Sequence, residues 1–188
     1  MRAPASISVL LILALTSCSP PQPAPSASPA EPSPSVAEPQ DPAVVSPYAE
    51  AEKQSGYQER LAITVHKTPS CGCCSLWTEH LRRNNFEVKV VDHDDLTPIK
   101  QRLGVPPSMA SCHTGEIQGL FVEGHVPAGD IRRMLDAAPH AAAQIKGVAV
   151  PGMPAGSPGM EMGNRVDRFQ VILVDEVGEG LVFSEYGN

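Results

Sequence analysis

Residues 61–81 read LAITVHKTPSCGCCSLWTEHL, and the order of residue types in this stretch decides the fold prediction. The β-branched run at 61–65 predicts a short strand, and the Thr-Pro-Ser sequence at 68–70 ends it. Beyond this break, Cys74 and Trp77 are three residues apart, a spacing that predicts a helix with one buried face. The stretch is therefore expected to form a strand, a turn and a helix, with cysteines where the helix begins.

The rest of the chain alternates between predicted strands and helices. Strands are predicted at 86–91, 109–114, 119–123, 169–174 and 181–183, and helices at 96–103 and 127–137. A turn at Gly115 joins the second and third of these strands, and residues 147–162 form a loop rich in Gly, Pro and Met. The order β-α-β-α-β-β-α is typical of the thioredoxin plan. We therefore expect residues 58–188 to form an α/β, thioredoxin-like three-layer domain with a C-terminal β-hairpin.

The N-terminus predicts export and lipid anchoring. An apolar run at residues 7–15 is too short to span a bilayer, and it fits a signal peptide over residues 1–17. The sequence LTSC at 15–18 resembles a bacterial lipobox, so we expect cleavage before Cys18 and lipidation of that cysteine. By resemblance to other lipoproteins, serine at the next position favours the outer membrane. The alternative is an ordinary signal peptide in which Cys18 has no role.

Residues 18–57 predict a disordered tether between the lipidated cysteine and the domain. Eleven of the twenty prolines precede residue 48, and the segment lacks the apolar residues that a core requires. We expect a protein of the periplasm that is held on the membrane through its lipid. The formal net charge of −7 provides no basic surface for nucleic acid.

The cysteines predict a thiol site. Cys71 and Cys74 form a C-x-x-C pair at a helix N-terminus, where the helix dipole stabilises a thiolate. Cys73 adds a third thiol, and Cys112 is expected to face the other three from the loop after the Pro-Pro pair. Such a cluster suits a soft metal, and copper fits better than zinc because three of the sulfurs come from one turn.

Two other interpretations of these cysteines stay open. One is a thiol-disulfide oxidoreductase in which Cys71 is the nucleophile and Cys74 resolves the mixed disulfide. The other is a non-catalytic binding module held by structural disulfides, which an oxidising compartment permits.

Further copper ligands are predicted outside the cysteines. Met153, Met160 and Met162 lie in the Gly/Pro loop, and thioether sulfur binds Cu(I). Their alternative role is packing. His125 lies in a loop between a strand and a helix, at the end of the domain that should carry the cysteines, and imidazole also suits Cu(II). His113 is expected to point away from the site by strand alternation. The remaining histidines are interpreted as surface or structural residues: His66, His80, His93 and His140.

Five segments together resemble the CopG-type proteins of bacterial copper-resistance loci. The segments are 68–74 (TPSCGCC), 104–107 (GVPP), 111–114 (SCHT), 123–127 (EGHVP) and 150–154 (VPGMP) continued at 159–161 (GME). The resemblance covers about residues 61–186. It implies a periplasmic thioredoxin-like domain that holds a multinuclear copper cluster, redox-active between Cu(I) and Cu(II).

Carried over by position, the resemblance assigns the copper ligands to Cys71, Cys73, Cys74 and Cys112, with His125 and the loop methionines. The expected function is copper binding in copper homeostasis and resistance. The expected partners are copper ions and other periplasmic copper-handling proteins. Whether the protein is an enzyme, as a copper or a thiol-disulfide oxidoreductase, stays open.

Overall fold

The computed structural model describes residues 59–187. The predicted signal peptide, the predicted lipidation site Cys18 and the predicted tether lie outside the described residues. Within them, no helix combines the length and the apolar character needed to cross a membrane.

Within this range the chain forms a mixed α/β fold with seven strands and three α-helices. The strands are β1 (Leu61–Lys67), β2 (Phe86–Asp92), β3 (Thr114–Ile117), β4 (Leu120–Glu123), β5 (Ile145–Ala149), β6 (Phe169–Asp175) and β7 (Gly180–Tyr186). The helices are α1 (Gly72–Arg83), α2 (Thr97–Leu103) and α3 (Ala128–Ala137), and short 3₁₀ turns occur at Pro107–Met109 and Ala138–His140.

All seven strands belong to one sheet in the order β2-β1-β3-β4-β5-β6-β7. β1 pairs with β2 and β4 pairs with β5 in parallel, and the other neighbours are antiparallel. The predicted C-terminal hairpin is present as β6 and β7, which extend the sheet to one edge. The mixed α/β class is thus confirmed, and the assignment to the thioredoxin-like folds stays a prediction.

The strands differ from the prediction at residues 109–113 and at two glycines. Residues 109–113 form the end of a 3₁₀ turn and the loop before β3 rather than a strand. β5 occupies a segment partly predicted as loop, because Gly147 weakens the strand signal; a Cβ there would clash with the carbonyl oxygen of Phe121. The predicted turn at Gly115 is wrong, since Gly115 pairs with Val122 inside β3. The turn lies instead at Gln118 and Gly119, both at positive φ as a two-residue hairpin loop requires.

Alternate residues of the strands enter two separate cores, one on each face of the sheet. In β4, Val122 belongs to the first core and its neighbour Phe121 to the second. Trp77 of α1 and Ile131 of α3 fill the first core, whereas Leu103 of α2 lies in the second. The helices therefore cover both faces, and the packing of Trp77 fixes the N-terminus of α1 beside the end of β1.

Candidate metal centre

The first turn of α1 presents three cysteines. Cys71 is the N-cap residue, and its backbone N–H donates to the Thr68 carbonyl at 3.1 Å, which closes the turn after β1. Cys71 and Cys74 are joined in a disulfide, with their Cα atoms 5.4 Å apart. Cys74 is fully buried, while Cys71 and Cys73 are partly exposed. The turn therefore holds the sulfur of Cys74 inside the domain and the sulfurs of Cys71 and Cys73 near its surface.

Cys112 brings a fourth sulfur to this turn from the loop before β3. Its Sγ lies 3.6 Å from the Sγ of Cys74, and the Sγ atoms of Cys71 and Cys73 are also 3.6 Å apart. All four sulfurs lie within 4.8 Å of one another. One ion, or a small group of ions that share bridging sulfurs, can therefore contact all four once the disulfide is reduced.

A buried carboxylate holds the loop that carries Cys112. Glu123, at the end of β4, accepts a hydrogen bond from the Ser111 backbone N–H at 2.6 Å and one from the Thr114 hydroxyl at 2.7 Å. Lys100 of α2 forms an ion pair with the same carboxylate. Glu123 is completely buried, so these partners offset the cost of removing its charge from water. No role is predicted for Glu123 from the sequence, in which the only indication is its position two residues before His125.

Two imidazoles meet at the Cys112 sulfur. The Nε2 atom of His125 lies 3.3 Å from Cys112 Sγ, and its Nδ1 atom lies 2.8 Å from the Pro158 carbonyl oxygen. A carbonyl can only accept, so Nδ1 carries the proton and Nε2 offers a lone pair to the site. The Nδ1 atom of His113 lies 3.2 Å from the same sulfur.

The prediction for His113 is therefore wrong. β3 begins only at Thr114, so the alternation that assigned His113 to the opposite side does not apply to it. Its ring lies 4.3 Å from the Trp77 ring and 4.9 Å from the His125 ring. Cys112, His113 and His125 form a second group whose ligand atoms lie within 4.8 Å of one another. The sequence feature that could have indicated this role for His113 is its position directly after Cys112.

Burial determines the protonation of this group. Burial, and then the neighbouring Cys73 thiol, raises the pKa of Cys112 to about 12, so this thiol keeps its proton at neutral pH. Burial lowers the pKa of both His113 and His125, which keeps the two imidazoles neutral. A metal ion that binds Cys112 must displace a proton, and the neutral imidazoles beside it are able to accept hydrogen bonds or bind metal.

Comparison with known proteins identifies the family. A family model described as "Protein of unknown function, DUF411" matches residues 109–160. A solved structure titled "Copper resistance protein copG- Form 2" is 50% identical, covers 69% of this chain and 100% of its own, and has a TM-score of 0.63. A second, "Copper resistance protein copG- Form 1", is 51% identical with the same coverage and TM-score. No curated protein sequence matches the chain.

The chain belongs to the CopG family of copper-resistance proteins. The resemblance inferred from the sequence motifs is thus confirmed. The cysteine sulfurs and histidine nitrogens of this site are ligands that suit copper, the metal named in the titles of the two similar structures. A cluster of thiols beside buried neutral imidazoles suits a soft ion such as Cu(I).

The loop between β5 and β6 (residues 150–168) carries Met153, Met160 and Met162 and is called the methionine loop below. In this CopG family member it covers the start of α1. A Cβ at Gly159, which has φ +81°, would lie 2.9 Å from the Cys73 carbonyl oxygen and 2.6 Å from the Trp77 backbone nitrogen. Met160 follows this contact and is half-buried, whereas the side chains of Met153 and Met162 are exposed by 54% and 65%. The structure thus places the loop beside the cysteines, and copper ligation by the three methionines stays a prediction.

Proposed function

We propose that this protein binds copper as Cu(I) in a multinuclear copper-thiolate cluster formed by Cys71, Cys73, Cys74 and Cys112. The observation that carries the proposal is the convergence of the four sulfurs within 4.8 Å in a chain 50% identical to a copper-resistance protein. Within this proposal the domain is thioredoxin-like and exported to the periplasm, with Cys18 lipidated on the outer membrane. Its role is to hold copper for homeostasis and resistance.

Copper is preferred to zinc because of how the thiols are distributed. A structural zinc site usually takes two cysteines from each of two separate turns. Here Cys71, Cys73 and Cys74 come from one turn, and Cys73 and Cys74 are adjacent. Crowded thiolates are accommodated when each sulfur bridges two Cu(I) ions. Copper also suits His125 and His113, because imidazole nitrogen binds copper, including Cu(II).

Loading of the cluster requires reduction of the disulfide between Cys71 and Cys74. Two electrons and two protons convert this bond to two thiols, and a dithiol reductant that becomes a disulfide supplies both. Copper then displaces the thiol protons, including the proton of Cys112, whose sulfur lies 3.3 Å from His125 Nε2. The buried Cys74 and the loop held by Glu123 keep the sulfurs positioned throughout.

An anaerobic titration with Cu(I) tests the proposal. The reduced protein should bind more than one Cu(I) per chain, and Cys73→Ser should lose at least one equivalent because a bridging thiolate is removed. Ser75→Ala, an exposed change in the same helix, is the matched control and should bind as the wild type does. Binding of one Cu(I) per chain or fewer, or equal binding by Cys73→Ser and Ser75→Ala, would contradict the proposal.

The disulfide supports a second candidate function, thiol-disulfide exchange. Cys71 lies at the N-terminus of α1 and is bonded to Cys74, the arrangement in which a substrate thiolate attacks one sulfur and the other leaves. Reduction of insulin disulfides with a dithiol donor tests this candidate. Turnover that disappears in Cys71→Ser and persists in Cys73→Ser would favour it over copper binding.

A further inference from the structure

Two histidines lie close together on the face of the sheet opposite to the cysteines. In β1, Val65 belongs to the core that contains Trp77, so its neighbour His66 points to the other face. His93 directly follows β2, the parallel neighbour of β1, and its backbone N–H donates to the Lys67 carbonyl at 2.9 Å. Parallel strands that end together thus bring the two imidazoles to one edge of the domain.

The ring nitrogens are spaced as two ligands of one metal ion. His66 Nδ1 and His93 Nε2 lie 2.9 Å apart and share a hydrogen bond, which a metal ion bound by both rings would replace. At a metal–nitrogen distance of about 2.0–2.1 Å, two neighbouring ligand nitrogens are separated by about 2.9–3.4 Å, depending on the coordination angle. A small rotation of the rings would direct both lone pairs to a common ion.

An independent feature of the pair also points to a metal. The other nitrogen of His66, Nε2, is buried and faces the Glu116 carboxylate at 3.5 Å, the outer limit of a hydrogen bond. Arg102 holds that carboxylate with two hydrogen bonds of 3.1 and 2.7 Å. A histidine ligand commonly directs its second ring nitrogen at a carboxylate, which fixes the tautomer and raises the basicity of the ligating nitrogen.

Acidic residues flank His93 in sequence. Asp92 and Asp94 are its neighbours and Asp95 follows, while Arg102 offsets the charge of Glu116. Lys67 offsets one of these charges, with its Nζ 3.1 Å from Asp92 Oδ1. Burial lowers the pKa of His66, which keeps this imidazole unprotonated and able to bind metal.

We infer that His66 and His93 form a second metal site, for a divalent ion that prefers imidazole, on the opposite face of the sheet from the cysteine cluster. Cu²⁺ is the expected occupant, because nitrogen sites bind it most tightly among the first-row divalent ions. Water completes its coordination, and Glu116 positions His66. The site contains no thiol, so it differs from the cysteine cluster in the oxidation state of copper that it selects.

The test uses a background without free thiols, which would otherwise reduce Cu²⁺. In the triple variant Cys18→Ser/Cys73→Ser/Cys112→Ser, the two remaining cysteines, Cys71 and Cys74, are joined in the disulfide, so no free thiol is left. The full chain in this background is titrated with Cu²⁺ and followed by electron paramagnetic resonance. The added change His93→Gln should weaken the binding of one Cu²⁺ at least tenfold and remove nitrogen hyperfine lines.

His140→Gln is the matched control, since His140 is exposed and lies in a separate turn. It should leave the titration unchanged. Glu116→Gln should weaken the same Cu²⁺ by about tenfold, as expected for a residue that positions a ligand. Equal Cu²⁺ binding and equal spectra for His93→Gln and His140→Gln would overturn the inference, even if His113 and His125 bind Cu²⁺ elsewhere. The outcome is independent of Cu(I) binding by the cysteines, which this background removes.

Discussion

Cys112 is the residue at which sulfur and nitrogen ligands meet. Its Sγ lies within 3.6 Å of the Cys74 sulfur and within 3.3 Å of a ring nitrogen from each of His113 and His125. The closeness of Cys71, Cys73 and Cys74 could be predicted from their spacing, and the approach of Cys112 from the expected order of elements. The position of His113 could not, because it depends on where a strand begins, and element boundaries are the least certain part of a sequence prediction.

His125 is expected to contribute directly to copper affinity. Its Nδ1 proton is engaged by the Pro158 carbonyl, so Nε2 is held toward the Cys112 sulfur as a ready ligand. His125→Asn should lower the affinity for Cu(I) at least tenfold, measured by competition with a chromophoric Cu(I) chelator. His140→Asn is the control. An unchanged affinity in a folded His125→Asn protein would exclude His125 from the copper site.

At the scale of elements, the contact between the methionine loop and α1 depends on one glycine. Gly159 and Gly152 both adopt positive φ, but a Cβ at Gly152 would meet no atom within 4 Å, whereas at Gly159 it would clash with backbone atoms of α1. Gly159→Ala should therefore destabilise the protein by about 1–3 kcal/mol more than Gly152→Ala, as expected for overpacking. Urea denaturation of the two variants measures the difference, and equal losses would show that the loop does not pack on α1.

His80 links α1 to α3 and should make the stability of the domain depend on pH. The Ala128 backbone N–H, at the start of α3, donates to His80 Nε2 at 3.1 Å, which requires an unprotonated ring. Burial lowers the pKa of His80 to about 3 from its ordinary 6.5. Because the pKa is lower in the folded protein, the stabilisation is complete above the ordinary pKa and declines as the pH falls from 6.5 towards 3.

The decline attributable to His80 is at most roughly 1.4 kcal/mol per pH unit. His80→Gln should remove that part of the slope, whereas the exposed His140→Gln should retain it. The free energy of unfolding, measured at several pH values between 4 and 7, makes the comparison. The account of His80 is wrong if all three proteins lose stability in parallel as the pH falls.

The elements that could be predicted are those with a strong periodic pattern. The burial of Cys74, Trp77 and Leu81 on one face of α1 follows from their helical spacing. Glycine was the main source of error in the strand predictions, because it occurs both in turns and at closely packed positions within strands. A Cβ at Gly115 would be tightly packed, 3.0 Å from Ile63 Cδ1 and 3.2 Å from Val122 Cβ, and these contacts belong to tertiary structure that local sequence does not encode.

At the scale of the whole molecule, the sequence predicts that the candidate metal centre lies on a tethered domain. The lipobox-like sequence at 15–18 and the Pro-rich segment lie outside the described residues, so their predicted role is tested in cells. Cys18→Ser should move the protein from the membrane fraction to the soluble periplasmic fraction, because the acceptor of the lipid is lost. A wild-type protein that is already soluble, or a variant that stays with the membrane, would contradict lipid anchoring.

The central claim is that four thiolates hold several Cu(I) ions. X-ray absorption at the copper edge of the reduced, Cu(I)-loaded protein tests it most directly. We expect a first shell dominated by sulfur and a second signal from neighbouring copper ions, since sulfurs 3.6 Å apart can bridge more than one ion. A first shell of nitrogen and oxygen without sulfur, or sulfur ligation without any copper neighbour, would contradict the proposed cluster.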